Sequence, residues 1–197
     1  MDLSIFFDFQ RKKLVKRYGN YPENLHESVA DHCSAMMDMA DELMDSLNLD
    51  LDYKRVMRLI KYHDMGELGM EFDIDALEAS EVATLKLKKQ QQELETIESL
   101  SSRHGKKILE CWLEYEKQET PESRFVKCLD KLDVYFHEFE RGIEFYKKRE
   151  ALFTINQIKQ VAQGFPILNP LFQKILELYK FELKRLIDFN WKDEYSL

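Results

Sequence analysis

Tyr62-His63-Asp64-Met65-Gly66-Glu67 sets an imidazole and a carboxylate on adjacent backbone positions, with a second carboxylate a few residues on. Imidazole nitrogen and carboxylate oxygen are both ligands for a borderline divalent cation. A His-Asp dipeptide alone carries little information. Two other stretches give it weight: Glu27-Ser28-Val29-Ala30-Asp31-His32 upstream, and Lys127-Cys128-Leu129-Asp130-Lys131-Leu132-Asp133 downstream. His32, then His63-Asp64, then Asp130 fall on three separate predicted helices and form the set that a metal site on an all-helical scaffold needs. Two neutral nitrogens and two carboxylates balance a 2+ ion. Mixed nitrogen and oxygen ligation without thiolate suits one Mn, Co, Fe, Ni or Zn ion rather than Ca. Such an ion lowers the pKa of a bound water and polarises a phosphoryl oxygen. Glu67 can then accept a proton from the water or donate one to a leaving oxygen. A second metal would require further histidines between His63 and Asp130. Only His104 lies there, and its expected place is the surface.

The elements that must position these residues read as helices. Residues 3–18 have an amphipathic pattern with Ile5, Phe6, Phe9 and Leu14 apolar and Gly19 at the stop. A loop with Pro22 leads to a second helix over 27–47, whose stripe is Val29, Met36, Ala40, Leu43 and Leu47, with His32 within it. A lone histidine on an apolar face is ordinarily a satisfied core residue; only the other motifs argue for more. Asp52 caps a third helix from 53 to about 64, with Val56, Leu59 and Ile60 inward and His63 and Asp64 in its last turn. Consecutive helical residues diverge by about 100°, so both reach one metal only if it lies between their directions or the helix frays. Residues 66–77, with two glycines and several carboxylates, read as an irregular loop beside the site. A charged helix follows from 78 to about 100, its run from Lys86 to Glu93 read as a solvated face. A helix over 104–117 is built around Ile108, Trp112 and Tyr115. Thr120-Pro121-Glu122 starts the next, to about 148. Its stripe is Phe125, Leu129, Leu132, Phe136 and Ile143, with Asp130, Asp133 and His137 along one edge. Surface salt bridges are the plain reading of Asp133 and His137. Asn169-Pro170 opens the last helix, to about 189, with Leu171, Ile175, Leu178, Leu183 and Leu186 as core contacts. The expected fold is all-α, a single-domain bundle of about seven or eight helices with no strand.

Composition narrows the function. With 197 residues, 44% hydrophobic and 34% charged, the chain is long enough for one cored domain. A net charge of −8 disfavours nucleic acid polymers as partners but not a small phosphate ester, because a metal supplies local positive charge. Cys33, Cys111 and Cys128 have no CxxC spacing and read as reduced core residues. No apolar run approaches a membrane span, and the N-terminus, apolar before basic, has the wrong order for a secretory signal. The expected location is the cytoplasm. Neither a Gly-rich phosphate loop nor a nucleophile elbow is present.

These motifs, over roughly residues 9–140, resemble those of the HD-domain metal-dependent phosphohydrolases, most of all the branch of HD-domain 5'-deoxynucleotidases. Tyr115-Glu116 and Thr120-Pro121-Glu122 are also similar to that branch. The resemblance implies the HD-domain fold over 1–197, with 150–197 as a helical extension packed on it. It implies one divalent metal held by His32, His63, Asp64 and Asp130, with Glu67 as a catalytic carboxylate beside it. Arg17-Tyr18 matches the family's arginine–aromatic pair, the guanidinium gripping phosphate and the ring packing near the nucleoside. Asp73 resembles a further catalytic aspartate, in a loop one residue longer than usual. Leu25 stands where the family often has a basic residue. The implied activity is hydrolysis of deoxynucleoside 5'-monophosphates to nucleoside and phosphate. Hydrolysis of another small phosphate ester, or a non-catalytic nucleotide-binding module, are the alternatives. The implied partner is a small phosphorylated substrate, with no membrane; homodimers are usual in the family.

Overall fold

The computed structural model describes residues 3–18, 22–69, 83–141, 147–192 and 195–197. Among these are eight α-helices: α1 (Ser4–Arg11), α2 (Val29–Ser46), α3 (Tyr53–Tyr62), α4 (Ala83–His104), α5 (Lys107–Lys117), α6 (Pro121–Arg141), α7 (Lys148–Gly164) and α8 (Asn169–Ile187). The all-α class expected from the periodicity is what the chain adopts. One departure is a short antiparallel ladder, β1 (Lys16–Arg17) with β2 (Glu27–Ser28), in which Lys16 faces Ser28 and Arg17 faces Glu27. None of the described helices is long and apolar enough to cross a membrane. The chain divides into two compact units, Met1–Val126 and Lys127–Leu197.

The first unit packs α3, α4 and α5 around Tyr62, Met65, Ile97, Leu100, Ile108 and Trp112, with Ile5 and Phe9 of α1 against them. The first helix is shorter than its pattern predicts. It stops at Arg11, and Lys12 to Leu14 turn instead of continuing. Tertiary bonds override the local propensity: Lys12 and Val15 offer their carbonyls to the amides of Ala30 and Val29, the first turn of α2. Phe6 and Leu14 consequently stay exposed, while Val15 is buried. The second helix begins at Val29, not 27, because Ser28 caps it. Its Oγ accepts from the Asp31 amide while the Asp31 carboxylate takes the Ser28 amide, a reciprocal capping box. Val29, His32, Met36 and Ala40 are buried as the stripe requires, but Leu47, past the helix end, is exposed. Asp52 caps α3 through the Arg55 amide as expected.

After α3 the chain forms a 3-10 turn, Met65–Gly69, rather than an irregular loop. The remainder of that predicted loop, including Asp73, and the start of the charged helix lie outside the described residues. The 3-10 turn lies hard against α4. A Cβ on Gly66 would meet Glu93 Cβ at 2.9 Å, and one on Gly69 would meet Thr96 Oγ1 at 2.0 Å. Close backbone approach therefore demands glycine at both positions.

In the second unit α7 and α8 bury Ile155, Ile158, Phe172, Ile175, Tyr179 and Leu183. Tyr179 donates its hydroxyl to the buried Glu138 carboxylate and packs edge-on against Phe139 at 4.7 Å. Phe136 and Leu178, both expected inside, are exposed. The α6 stripe instead runs through Phe125, Leu129, Leu132 and Tyr135, one position earlier at its end. Ile143 lies outside the described residues.

Candidate active site

The end of α3 supplies the centre of the site. The helix stops at Tyr62, with His63 as its C-cap, still in helical conformation, and Asp64 in the turn that follows. His63 Nε2 lies 3.1 Å from Asp64 Oδ2. His32, fully buried on α2, brings its Nε2 to 3.3 Å from His63 Nε2 and 3.6 Å from Asp64 Oδ2. Nitrogen and oxygen ligands at about 2.0–2.2 Å from a cation stand roughly 3–3.5 Å from one another. These three atoms therefore fit a divalent ion in both identity and spacing.

The tautomer supports this. His63 Nδ1 is 2.9 Å from the Ile60 carbonyl, which can only accept, so Nδ1 carries the proton and Nε2 turns its lone pair toward His32 and Asp64. A cluster of acceptors facing one another attracts positive charge. Burial alone would lower the His63 pKa and raise that of Asp64. The Asp64 charge beside His63 nevertheless holds the imidazole well above its usual range. His63 in turn, with His32 and Arg17, holds the Asp64 carboxyl well below the carboxylate range. Tyr115 of α5, itself buried, packs on His63 with ring centroids 5.0 Å apart.

Glu67 is buried in the 3-10 turn, its amide bonded to the Asp64 carbonyl at 3.2 Å. Arg17 lies on β1 rather than at the end of a helix. The ladder sets it opposite Glu27, with Nη1 3.5 Å from Glu27 Oε2, both side chains largely buried. Its guanidinium is near enough to help depress the Asp64 carboxyl. Tyr18 follows at φ 62°, and the Arg17 Cζ lies 5.8 Å from its ring centroid. A left-handed backbone costs a non-glycine residue about 1–2 kcal/mol.

Asp130 lies on α6 in the second unit. It is buried, with Lys127 and Lys131 Nζ each 3.3 Å from its Oδ2. Asp133, three residues on, is likewise buried rather than at the surface, and His137 is half-buried. His104, expected at the surface, is instead an internal tie. Its side chain is buried and Nε2 lies 2.8 Å from Oδ2 of the buried Asp8, which Arg11 and Arg103 also approach.

Two lysines beside the site escaped the sequence reading. Lys12 is buried and donates to the Lys61 carbonyl at 2.6 Å, with Cys33 Sγ at 3.2 Å. Burial would raise the Cys33 thiol, but its hydrogen bond with His63 and the Lys12 ammonium bring it down to about 7. Lys89 turns inward from the run read as solvated, its Nζ 3.5 Å from Glu67 Oε1. The Lys89/Glu93 spacing of four was the only signal of this, and it reads equally well as a surface pair.

A family model for the HD domain matches residues 9–166. The chain is 31% identical over 137 residues to 5'-deoxynucleotidase HDDC2 of Dictyostelium discoideum, covering 65% of this chain and 70% of that protein. It is 33% identical over 164 residues to 5'-deoxynucleotidase HDDC2 of Homo sapiens, covering 76% of each. Among solved structures, one described as a predicted metal-dependent phosphohydrolase from Magnetospirillum magnetotacticum MS-1 superposes with a TM-score of 0.72. It is 19% identical and covers 91% of both chains, a likeness of fold.

Proposed function

The chain belongs to the HD-domain family, and from that premise we propose that it is a divalent-metal-dependent phosphomonoesterase acting on deoxynucleoside 5'-monophosphates. The observation that carries this reading is the convergence of His32 Nε2, His63 Nε2 and Asp64 Oδ2 within 3.6 Å of one another. The relatives named 5'-deoxynucleotidase supply the substrate class. The domain organisation we infer is a single HD-type domain over 1–197, supported by a family match that runs through both units.

In this reading His32, His63, Asp64 and Asp130 hold one Mn, Co, Fe, Ni or Zn ion. The cation, when bound, polarises a phosphoryl oxygen and lowers the pKa of a water. Arg17 offers its planar fork of donors to the phosphate oxygens, releasing its 3.5 Å contact with Glu27 as it does so. Tyr18 packs beside the nucleoside. Glu67 takes the proton of the attacking water on a carboxylate oxygen and passes it to the departing 5'-oxygen. Asp73 is the second carboxylate proposed for proton handling. Products are a nucleoside and inorganic phosphate. The enzyme is read as cytoplasmic, in keeping with its three free cysteines.

The test is phosphate release from a panel of 5'-, 3'- and cyclic nucleotides, with each metal added back after chelation. Release from deoxynucleoside 5'-monophosphates, restored by one or more transition metals, is expected. Release that persists undiminished after full chelation would overturn the reading.

A further inference from the structure

We propose that Lys89 is a positioning residue for the reaction: its ammonium anchors the Glu67 carboxylate, so that α4 takes part in proton transfer although it bears no ligand. The proposal rests on Glu67 acting as read above. Its geometric basis is independent of that reading. Lys89 Nζ lies 3.5 Å from Glu67 Oε1 and 3.7 Å from Glu93 Oε1, and the Lys89 side chain keeps only 19% of its exposure. Lysine is ordinarily among the most exposed residues, and neighbours on the same helix, Leu87 and Lys88, are exposed. The burial is built into the backbone. Gly66 and Gly69 bring the 3-10 turn so close to α4 that a Cβ on either would collide with Glu93 or Thr96. Lys89, Glu93 and Thr96 follow one another at helical spacing, so a single face of α4 abuts the turn that carries Glu67.

A glutamate side chain has three torsions to fix, and proton transfer needs its oxygen within hydrogen-bond reach of the reacting atom. Holding Oε1 on a half-buried ammonium removes most of that freedom. Glu93 keeps the ammonium from swinging out to solvent. Displacing a catalytic group by about 1 Å costs on the order of 10²-fold in rate, which bounds the expected effect.

The experiment compares Lys89→Met, Lys89→Arg, Glu67→Gln and the Lys89→Met/Glu67→Gln double variant, with Lys88→Met as control. Lys89→Met is expected to lower kcat about 10–100-fold while KM and bound metal stay near their starting values. Lys89→Arg should recover much of the loss and Lys88→Met should cause none. In the Glu67→Gln background, Lys89→Met should cost nothing further, because it acts through the group already removed. Independently of activity and metal, acetic anhydride labelling read by peptide mass spectrometry should modify Lys89 more slowly than Lys88, and Glu67→Gln should speed it. An unchanged kcat in Lys89→Met alongside a large loss in Glu67→Gln overturns the inference and leaves the functional reading standing. Losses that multiply in the double variant, or a Lys89 labelling rate indifferent to Glu67, also overturn it. Full activity in Glu67→Gln would instead bring down the role of Glu67, and this inference with it.

Discussion

His63 is constrained at both ring nitrogens. Nδ1 donates to the Ile60 carbonyl and Nε2 faces His32 and Asp64. His63→Ala should therefore do two separable things. Metal analysis should show loss of about one equivalent. Denaturation in the presence of chelator should show a further loss of about 0.5–1.5 kcal/mol for the hydrogen bond removed, the Ile60 carbonyl keeping the Cys33 thiol at 3.5 Å. Glu67→Ala should keep the metal and lower kcat by about 10²–10⁴, the usual worth of a general acid–base group. Arg17→Ala should raise KM for a nucleoside monophosphate and cost about 2–4 kcal/mol in kcat/KM. Arg11→Ala, whose side chain is mostly solvated on α1 beside Asp8, should leave both constants near wild type. At this scale the sequence was legible where residue type is itself chemistry: adjacent His and Asp can ligate wherever the chain goes. It was illegible for Lys12 and Lys89. A long flexible side chain takes its direction from neighbours that are remote in sequence, and nothing local distinguishes an inward lysine from an outward one.

Helix α3 ends on side chains of the site rather than on a glycine. Lys12 Nζ bonds the Lys61 carbonyl, a cation at the negative end of the helix, and His63 bonds the carbonyl of Ile60. Lys12→Met should cost about 1–3 kcal/mol, or a fall in melting temperature of about 2–4 °C per kcal/mol for a chain of this size. Gly69→Ala should destabilise the 3-10 turn. Thr96 Oγ1 lies 2.0 Å from the new methyl position and is itself bonded to the Gln92 carbonyl at 2.9 Å, so it cannot simply turn away. An overpacking loss of about 1–3 kcal/mol is expected by calorimetry. Caps and stripes made most helices readable: Asp52 lies where its residue type favours a helix start, whereas the Ser28–Asp31 box that sets the start of α2 went unread. The first helix was overextended because apolar spacing continued past Arg11, while the bonds from Ala30 and Val29 that divert the chain are tertiary. The two-residue ladder was invisible for the same reason; so short a pair has no alternation to detect.

Over the whole molecule, a cation shared by His32 and the His63–Asp64 pair would bridge positions 31 residues apart in the first unit. Folded chain binds it and unfolded chain does not, so a cation at about 100 times its dissociation constant adds roughly 2.7 kcal/mol to stability. Hydrogen exchange should show this as faster exchange in α2 and α3 on chelation, with α7 and α8 little changed. Equal acceleration throughout would mean that the metal is not seated where His32 and His63 meet. The ladder of Lys16–Arg17 with Glu27–Ser28 has a consequence of another kind. It fixes Arg17 by pairing with the residues that lead directly into α2, so the place of the guanidinium relative to His32 does not depend on the chain in between. Within Pro22–His26 only Leu25 is buried, so the exposed Pro22, Glu23 and Asn24 can vary without moving the guanidinium. Replacing Glu23 and Asn24 should leave the KM for a nucleoside monophosphate near its starting value, because the hold on Arg17 is set outside them.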